Sequence, residues 1–136
     1  MPESTTHKTL VGAIVKWVHK YYNEEMILYV DSENAMFTDE LPPSINTCKP
    51  DVFAQGRKSK NIVIGEAKTT QIDLESDHSE IQFTAYLEYC KKNSDCKLVV
   101  ATPLNIINCA KSIIDVLKKK LHCEQVHTEM INPLYY

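Results

Sequence analysis

Residues 51–68 read DVFAQGRKSKNIVIGEAK, a pattern typical of two strands joined by a turn. Val52–Gln55 and Asn61–Thr69 are apolar runs of strand length, and Gly56–Lys60 between them is rich in turn-forming and charged residues. Two such runs joined by a short turn are typical of a β-hairpin. The second run is apolar on both faces, which is typical of a strand inside a sheet that is covered on both sides.

The pairing of this hairpin determines which polar side chains meet. If Gly56 pairs with Asn61, Asp51 lies opposite Glu66, and Lys68 lies on the same face as Glu66 because alternate residues of a strand share a face. Two carboxylates across a strand pair repel each other. A Mg²⁺ or Mn²⁺ ion between them would remove the repulsion, and carboxylate oxygens suit both ions. The simpler alternative is a Glu66–Lys68 salt bridge, with Asp51 as a turn residue.

The flanking sequence predicts an α/β fold, more narrowly an α+β mixed sheet with helices on its faces. Apolar residues recur at helical spacing over residues 8–22, and residues 31–48 read as a loop. Three further strands are predicted, at Met26–Val30, Lys97–Ala101 and Cys123–His127. A helix is predicted over Ser79–Lys92, with Asp77 or Ser79 as its cap. A last helix is predicted to begin at Thr102-Pro103, and its apolar stripe continues to Leu121.

The helix that follows the hairpin contributes a second set of polar side chains. Gln82 and Tyr86 are four residues apart, so they project from one helix face near the end of the second strand. An amide or a phenol at that position can orient water or contact a phosphate oxygen. The alternative is structural, because Ser79 and Gln82 have the spacing of a capping box and Tyr86 suits a half-buried core position.

Composition limits the class of protein. The 136 residues suit one domain spanning 1–136, and the net charge of −3 excludes a strongly basic nucleic-acid coat protein. No apolar run has the length of a membrane span, and the first residues lack the layout of a signal peptide. The five cysteines show no CxxC spacing, which predicts reduced thiols in a cytoplasmic protein. His7, His19, His122 and His127 show no metal-ligand spacing.

These short motifs resemble those of a known family. Pro50-Asp51 followed by Glu66-Ala67-Lys68 resembles the PD-(D/E)xK nuclease superfamily, whose restriction-endonuclease-like core has the order αβββαβ. Gln82-x-x-x-Tyr86 is similar to the QxxxY motif of RecB-type exonucleases, and the compact arrangement is similar to VRR-NUC and Holliday-junction-resolvase-like members. The resemblance covers roughly residues 8–101.

The resemblance implies a role for each matching residue. Asp51, Glu66 and the carbonyl of Ala67 would be ligands of Mg²⁺ or Mn²⁺, and Lys68 would be the catalytic lysine. Gln82 and Tyr86 would assist at the phosphate. One departure is that residues 8–22 contain no acidic residue, whereas many family members carry one on the first helix. A mechanism with two metal ions is therefore in doubt.

Cationic side chains are candidates for binding the nucleic-acid backbone, which requires positive charge near the phosphates. They are Arg57, Lys58 and Lys60 on the hairpin turn, Lys91 and Lys92 at the end of the QxxxY helix, and His78 near the start of that helix. The alternative for each is an ordinary solvated surface residue. The sequence contains no base-reading motif, so we expect cleavage that depends on structure or ends rather than on base sequence.

Two function hypotheses follow. The first is a Mg²⁺- or Mn²⁺-dependent deoxyribonuclease in repair, mobile-element processing or defence, with DNA as its partner and RNA possible. The second is a non-catalytic nucleic-acid-binding or assembly subunit on the same fold. Either protein would be cytoplasmic without a membrane partner, and would act alone, as a homodimer or within a larger nuclease complex.

Overall fold

The computed structural model describes residues 4–31 and 41–135. Its elements in chain order are α1 (Thr5–Tyr21), β1 (Met26–Val30), β2 (Val52–Gly56), β3 (Ile62–Ala67), α2 (Gln71–Leu74), α3 (Asp77–Lys92), β4 (Cys96–Ala101), a 3-10 helix (Leu104–Ile106), α4 (Ile107–Lys120), β5 (His127–Ile131) and a second 3-10 helix (Pro133–Tyr135). This is a mixed α/β architecture, as the sequence predicted. The predicted loop over 31–48 falls partly on residues 32–40, which lie outside the described residues.

The five strands form one mixed sheet in the order β1-β2-β3-β4-β5. The pairs β1–β2 and β2–β3 are antiparallel, while β3–β4 and β4–β5 are parallel. Within the hairpin, Gln55 pairs with Ile62 and Val52 pairs with Gly65. This is the predicted register, and it brings the residue before β2 and the last residues of β3 to the same edge of the sheet.

Helices cover both faces of the sheet. The apolar side of α1 packs on one face, where it meets residues such as Val63 and Val99, and α3 and α4 pack on the other, where they meet Ile64 and Leu98. The contact between α1 and β3 is close at Gly65, because a Cβ atom there would lie 2.6 Å from Cγ2 of Ile14. A glycine at this position therefore lets the helix rest directly on the strand that ends in Glu66 and Ala67.

The hairpin turn is held by a carboxylate from outside the hairpin. Glu24, between α1 and β1, accepts a hydrogen bond of 2.8 Å from the Ser59 hydroxyl and one of 2.7 Å from the Asn61 side-chain amide. The backbone amide of Gly56 donates to the carbonyl of Asn61 at 2.9 Å. These contacts fix the residue pair from which the register of β2 against β3 is counted.

Two helix starts differ from prediction. The first helix begins at Thr5 rather than residue 8, because the Ser4 hydroxyl caps it by accepting from the amide of His7. The helix predicted from Ser79 begins at Asp77, and its cap is Ser76 rather than Asp77 or Ser79. The short helix α2 was not predicted, because its four residues are too few for a periodic pattern.

The C-terminal third differs more. Pro103 has an extended ψ of 152°, so Thr102-Pro103 precedes a 3-10 turn instead of capping the helix, and α4 begins at Ile107. The last strand occupies His127–Ile131 rather than Cys123–His127. The residues before it form a tight turn, in which His122 has a φ of 56° and the Cys123 amide donates to the carbonyl of Lys118.

The helices of residues 4–31 and 41–135 include none with the length and apolarity needed to cross a bilayer.

Candidate active site

Two carboxylates meet at one edge of the sheet. Asp51 immediately precedes β2 and Glu66 lies near the end of β3, and the antiparallel register brings both to this edge. The side chain of Asp51 accepts a hydrogen bond of 2.8 Å from the backbone amide of Ala67. Asp51 is 8% exposed and Glu66 is 4% exposed. Both predicted acidic residues and Ala67 are therefore brought together in a buried cluster.

The environment gives the two acids opposite protonation behaviour. Burial raises the pKa of Glu66 well above its usual range, and the neighbouring charge of Asp51 raises it further. Burial also raises the pKa of Asp51, but hydrogen bonds with His7, Glu66 and the Ala67 amide outweigh it and leave this pKa below its usual range. The pair therefore favours one proton, held on Glu66 and directed toward an ionised Asp51.

This pair is a chemically suitable partial site for a hard divalent cation. Two neighbouring carboxylates repel each other when both are ionised, so one keeps a proton. Both can ionise when a divalent cation replaces that proton. Across the described ranges, no group of three or more His, Cys, Asp or Glu side chains is arranged to hold a metal ion. The remaining positions around a cation at Asp51 and Glu66 would belong to backbone oxygen, water and substrate, as is common for Mg²⁺.

Lys68 lies buried beside the carboxylates. Its ammonium group donates a short hydrogen bond to Oε1 of Gln82, lies 3.8 Å from a carboxylate oxygen of Asp73, and sits 5.8 Å from the ring centre of Phe83. Its exposed fraction is 3%. The Glu66–Lys68 salt bridge considered as an alternative is not the arrangement found, although the charge of Lys68 still lowers the pKa of Glu66.

Gln82 and Tyr86 both reach the cluster from α3, as their spacing predicted. Gln82 accepts from Lys68 and does not belong to a capping box, because the helix is capped by Ser76. The Tyr86 hydroxyl donates to Oε1 of Glu66 at 3.1 Å and is fully buried. Burial and the Glu66 charge raise the pKa of Tyr86, so this phenol stays protonated. Tyr86 therefore positions the side chain of Glu66. Its buried hydroxyl is not placed to make the phosphate contact that the sequence analysis had predicted.

His7 joins the site, contrary to the sequence analysis. Its Nε2 atom lies 3.4 Å from Oδ2 of Asp51, and the imidazole is mostly buried at the start of α1. Metal-ligand spacing along the chain could not find this residue, because its partner lies in a distant segment. Helical spacing could have indicated that His7 is buried. It precedes Leu10, Val11 and Ile14 by three, four and seven residues, which places it on the buried face of the helix.

Most of the predicted phosphate-binding cations lie away from the cluster. The turn that carries Arg57, Lys58 and Lys60 is at the opposite end of β3, and about 13 Å of strand separates Ile62 from Glu66. Arg57 forms an exposed ion pair with Glu25 at 3.2 Å.

The cations of α3 divide between its two ends. Lys91 and Lys92 lie in the last turn, about 14 Å and about 15 Å along the axis from Gln82, and Lys91 donates to the carbonyl of Leu121. His78 is exposed in the first turn, at the end that holds the cluster. Of these six predicted phosphate-binding residues, His78 alone shares an end of the fold with the carboxylates.

No family model matches the sequence, and comparisons with curated proteins and with solved structures gave no match.

Proposed function

We propose that this chain is a divalent-metal-dependent nuclease of the PD-(D/E)xK type that hydrolyses phosphodiester bonds in DNA. The observation that carries the proposal is the buried pair Asp51–Glu66 with the ammonium of Lys68 beside it at a sheet edge. Enclosing three ionisable side chains in this way costs stability unless they are paired or serve a site. Perturbed carboxylates clustered at a strand end are typical of catalytic sites.

The residues divide into those that would hold the cation and those that position them. The carboxylates of Asp51 and Glu66, with the backbone carbonyl of Ala67, would hold Mg²⁺ or Mn²⁺. When bound, the cation supplies Lewis acidity toward a phosphate oxygen and lowers the pKa of water. His7 holds Asp51 from α1, and Tyr86 holds Glu66 from α3.

Lys68 is the cation that belongs to the chain itself. Its ammonium would stabilise the negative charge that grows on the phosphate as water adds to phosphorus and the ester P–O bond breaks. Gln82 fixes the direction of this ammonium, and Asp73 lies near it at 3.8 Å. The sequence contains no base-reading motif, which supports cleavage directed by structure or ends. We place the enzyme in the cytoplasm, acting alone, as a homodimer or within a larger complex.

A cleavage assay tests the proposal. The purified chain is incubated with supercoiled, linear, single-stranded and branched DNA and with RNA, in Mg²⁺ and in Mn²⁺. Glu66→Gln keeps the shape of the side chain and removes its ability to ionise, while Glu88→Gln changes an exposed carboxylate on the same helix as Tyr86. We expect cutting by the wild type and by Glu88→Gln, and none by Glu66→Gln. Equal cutting by all three proteins would show that the activity does not come from this site.

A second function is favoured by one observation. Lys68 is only 3% exposed and its ammonium is engaged by Gln82 and Asp73, as in a purely structural network. On this basis the alternative is a non-catalytic nucleic-acid-binding or assembly subunit. Binding of labelled DNA without metal and without cutting, unaffected by Glu66→Gln, would favour this alternative. Cutting lost in Glu66→Gln would exclude it.

A further inference from the structure

Two buried cysteines face each other on the far side of the fold from the carboxylates. Cys90 lies in the last turns of α3 and Cys96 begins β4. Their Sγ atoms are 2.9 Å apart, and each residue is 3% exposed. A disulfide bond measures about 2.0 Å between its sulfur atoms. The two thiols are therefore within about 1 Å of bonding distance.

The short connection between the two elements maintains this proximity. The amide of Asn93 donates to the carbonyl of Cys90 at 3.2 Å, and the amide of Cys96 donates to the carbonyl of Asn93 at 2.9 Å. The side chain of Asn93 also donates to the carbonyl of Tyr89. The backbone thus turns from the helix into the strand through a hydrogen-bonded segment, and both thiols are directed into the same part of the core.

We propose that Cys90 and Cys96 form a site of reversible covalent modification, at which a peroxide converts the two thiols into an intramolecular disulfide. The sulfur of one cysteine attacks a peroxide oxygen, the O–O bond breaks, and the departing hydroxide takes the proton of that thiol, so a sulfenic acid and one water result. The sulfur of the second cysteine then attacks the sulfenic sulfur, the S–O bond breaks, and a second water leaves. The cysteines lose two electrons and two protons, and the peroxide is reduced.

The other three cysteines do not offer this geometry. Cys48 and Cys109 are half-buried, and Cys123 directs its thiol to the carbonyls of Leu87 and Leu121. The bond would tie the end of α3 to the start of β4. Because Tyr86 lies one helical turn before Cys90 on the same buried side, the disulfide anchors the helix that holds Glu66. The inference stands on the thiol geometry and does not depend on the proposed nuclease activity.

Peptide mapping tests the proposal on the full-length chain. The reduced protein is treated with hydrogen peroxide, quenched in acid, denatured and alkylated with a maleimide before trypsin digestion. Cleavage after Lys68, Lys91, Lys92 and Lys97 separates the two cysteines into peptides 69–91 and 93–97, each with one cysteine. We expect these two peptides to be joined, with a combined mass lower by two hydrogen atoms, and to be released by a reducing agent.

Matched variants identify the pair. Cys109→Ser, at a half-buried cysteine outside the pair, should form the same cross-link, and Cys96→Ser should not. The proposal would be overturned if, in the wild type, Cys48 or Cys109 were oxidised while Cys90 and Cys96 were both recovered as fully alkylated peptides. A predominant cross-link from Cys90 to Cys123 would also overturn it. Both decisive readings come from the wild type, so they do not depend on how well a serine variant folds.

Discussion

Replacing Glu66 by glutamine should stabilise the metal-free protein. The pKa of Glu66 is raised in the folded state by burial and then by Asp51, so ionising this carboxyl opposes folding. A group with a raised folded pKa contributes full stability below its unfolded pKa of about 4.5, and this contribution falls as the pH rises toward the folded pKa. Glutamine does not ionise and escapes this loss. The advantage of Glu66→Gln should therefore grow as the pH rises above about 4.5.

The size of the effect follows from linkage. Each pKa unit between the folded and unfolded states corresponds to about 1.4 kcal/mol. For a chain of 136 residues, an unfolding entropy of about 2.1 cal/mol/K per residue makes 1 kcal/mol equal to about 3.5 °C in Tm. The variant should thus gain up to about 5 °C for each unit by which the folded pKa exceeds the unfolded one. The pKa of Asp51 is lowered, so its own contribution is lost only at more acidic pH.

Divalent metal should shift the order of stability toward the wild type. A ligand that binds only the folded state adds about 2.7 kcal/mol at 100 times its Kd, which is about 9 °C for this chain. We expect Mn²⁺ to raise the Tm of the wild type and of Glu88→Gln, and to leave Glu66→Gln nearly unchanged. The assay is thermal unfolding from pH 4 to 8, with EDTA or with Mn²⁺. If Glu66→Gln were less stable than the wild type at every pH in EDTA, the reasoning about the shared proton would be refuted.

Two further predictions concern the packing around the site. Gly65→Ala should lower the free energy of unfolding by about 1–3 kcal/mol, because its Cβ would lie 2.6 Å from Ile14. Gly12→Ala, in open space within α1, should raise the free energy of unfolding by up to about 1 kcal/mol. Urea unfolding measures both changes, and equal effects of the two substitutions would contradict the packing argument. Tyr86→Phe removes the hydroxyl that donates to Glu66 and should cost about 1–2 kcal/mol while moving the pKa of Glu66 further up. A carboxyl titration followed by NMR tests this, and a fall in that pKa would contradict it.

The hairpin could be predicted because its determinants are local. A turn segment joins two apolar runs within eighteen residues, so one assumed pair, Gly56 with Asn61, fixes the position of Asp51 against Glu66. Gln82 was predictable for the same reason, since helix α3 follows β3 after a short connection.

Contacts between distant segments were not predictable. His7 meets Asp51 only because α1 packs across the sheet, and motif spacing along the chain carries no record of that contact. The role of Tyr86 was also missed, since the spacing that places it on the correct face does not say whether its hydroxyl meets a phosphate or a carboxylate. The start of β5 was predicted too early in the chain. The turn before it is made by His122 in a left-handed backbone conformation, and no glycine marks that turn in the sequence.

The bond between Glu24 and the hairpin turn has a consequence for how this protein can change over time. Lengthening the turn by one residue would displace Asn61 from Glu24, and the resulting one-residue shift in register would turn every side chain of one strand to the opposite face. A surface loop usually tolerates insertions, but the length of this turn sets the register that brings Asp51 opposite Glu66 at the other end of the hairpin. In distant relatives that keep the carboxylate pair, the number of residues between Asp51 and Glu66 should vary less than the residues themselves.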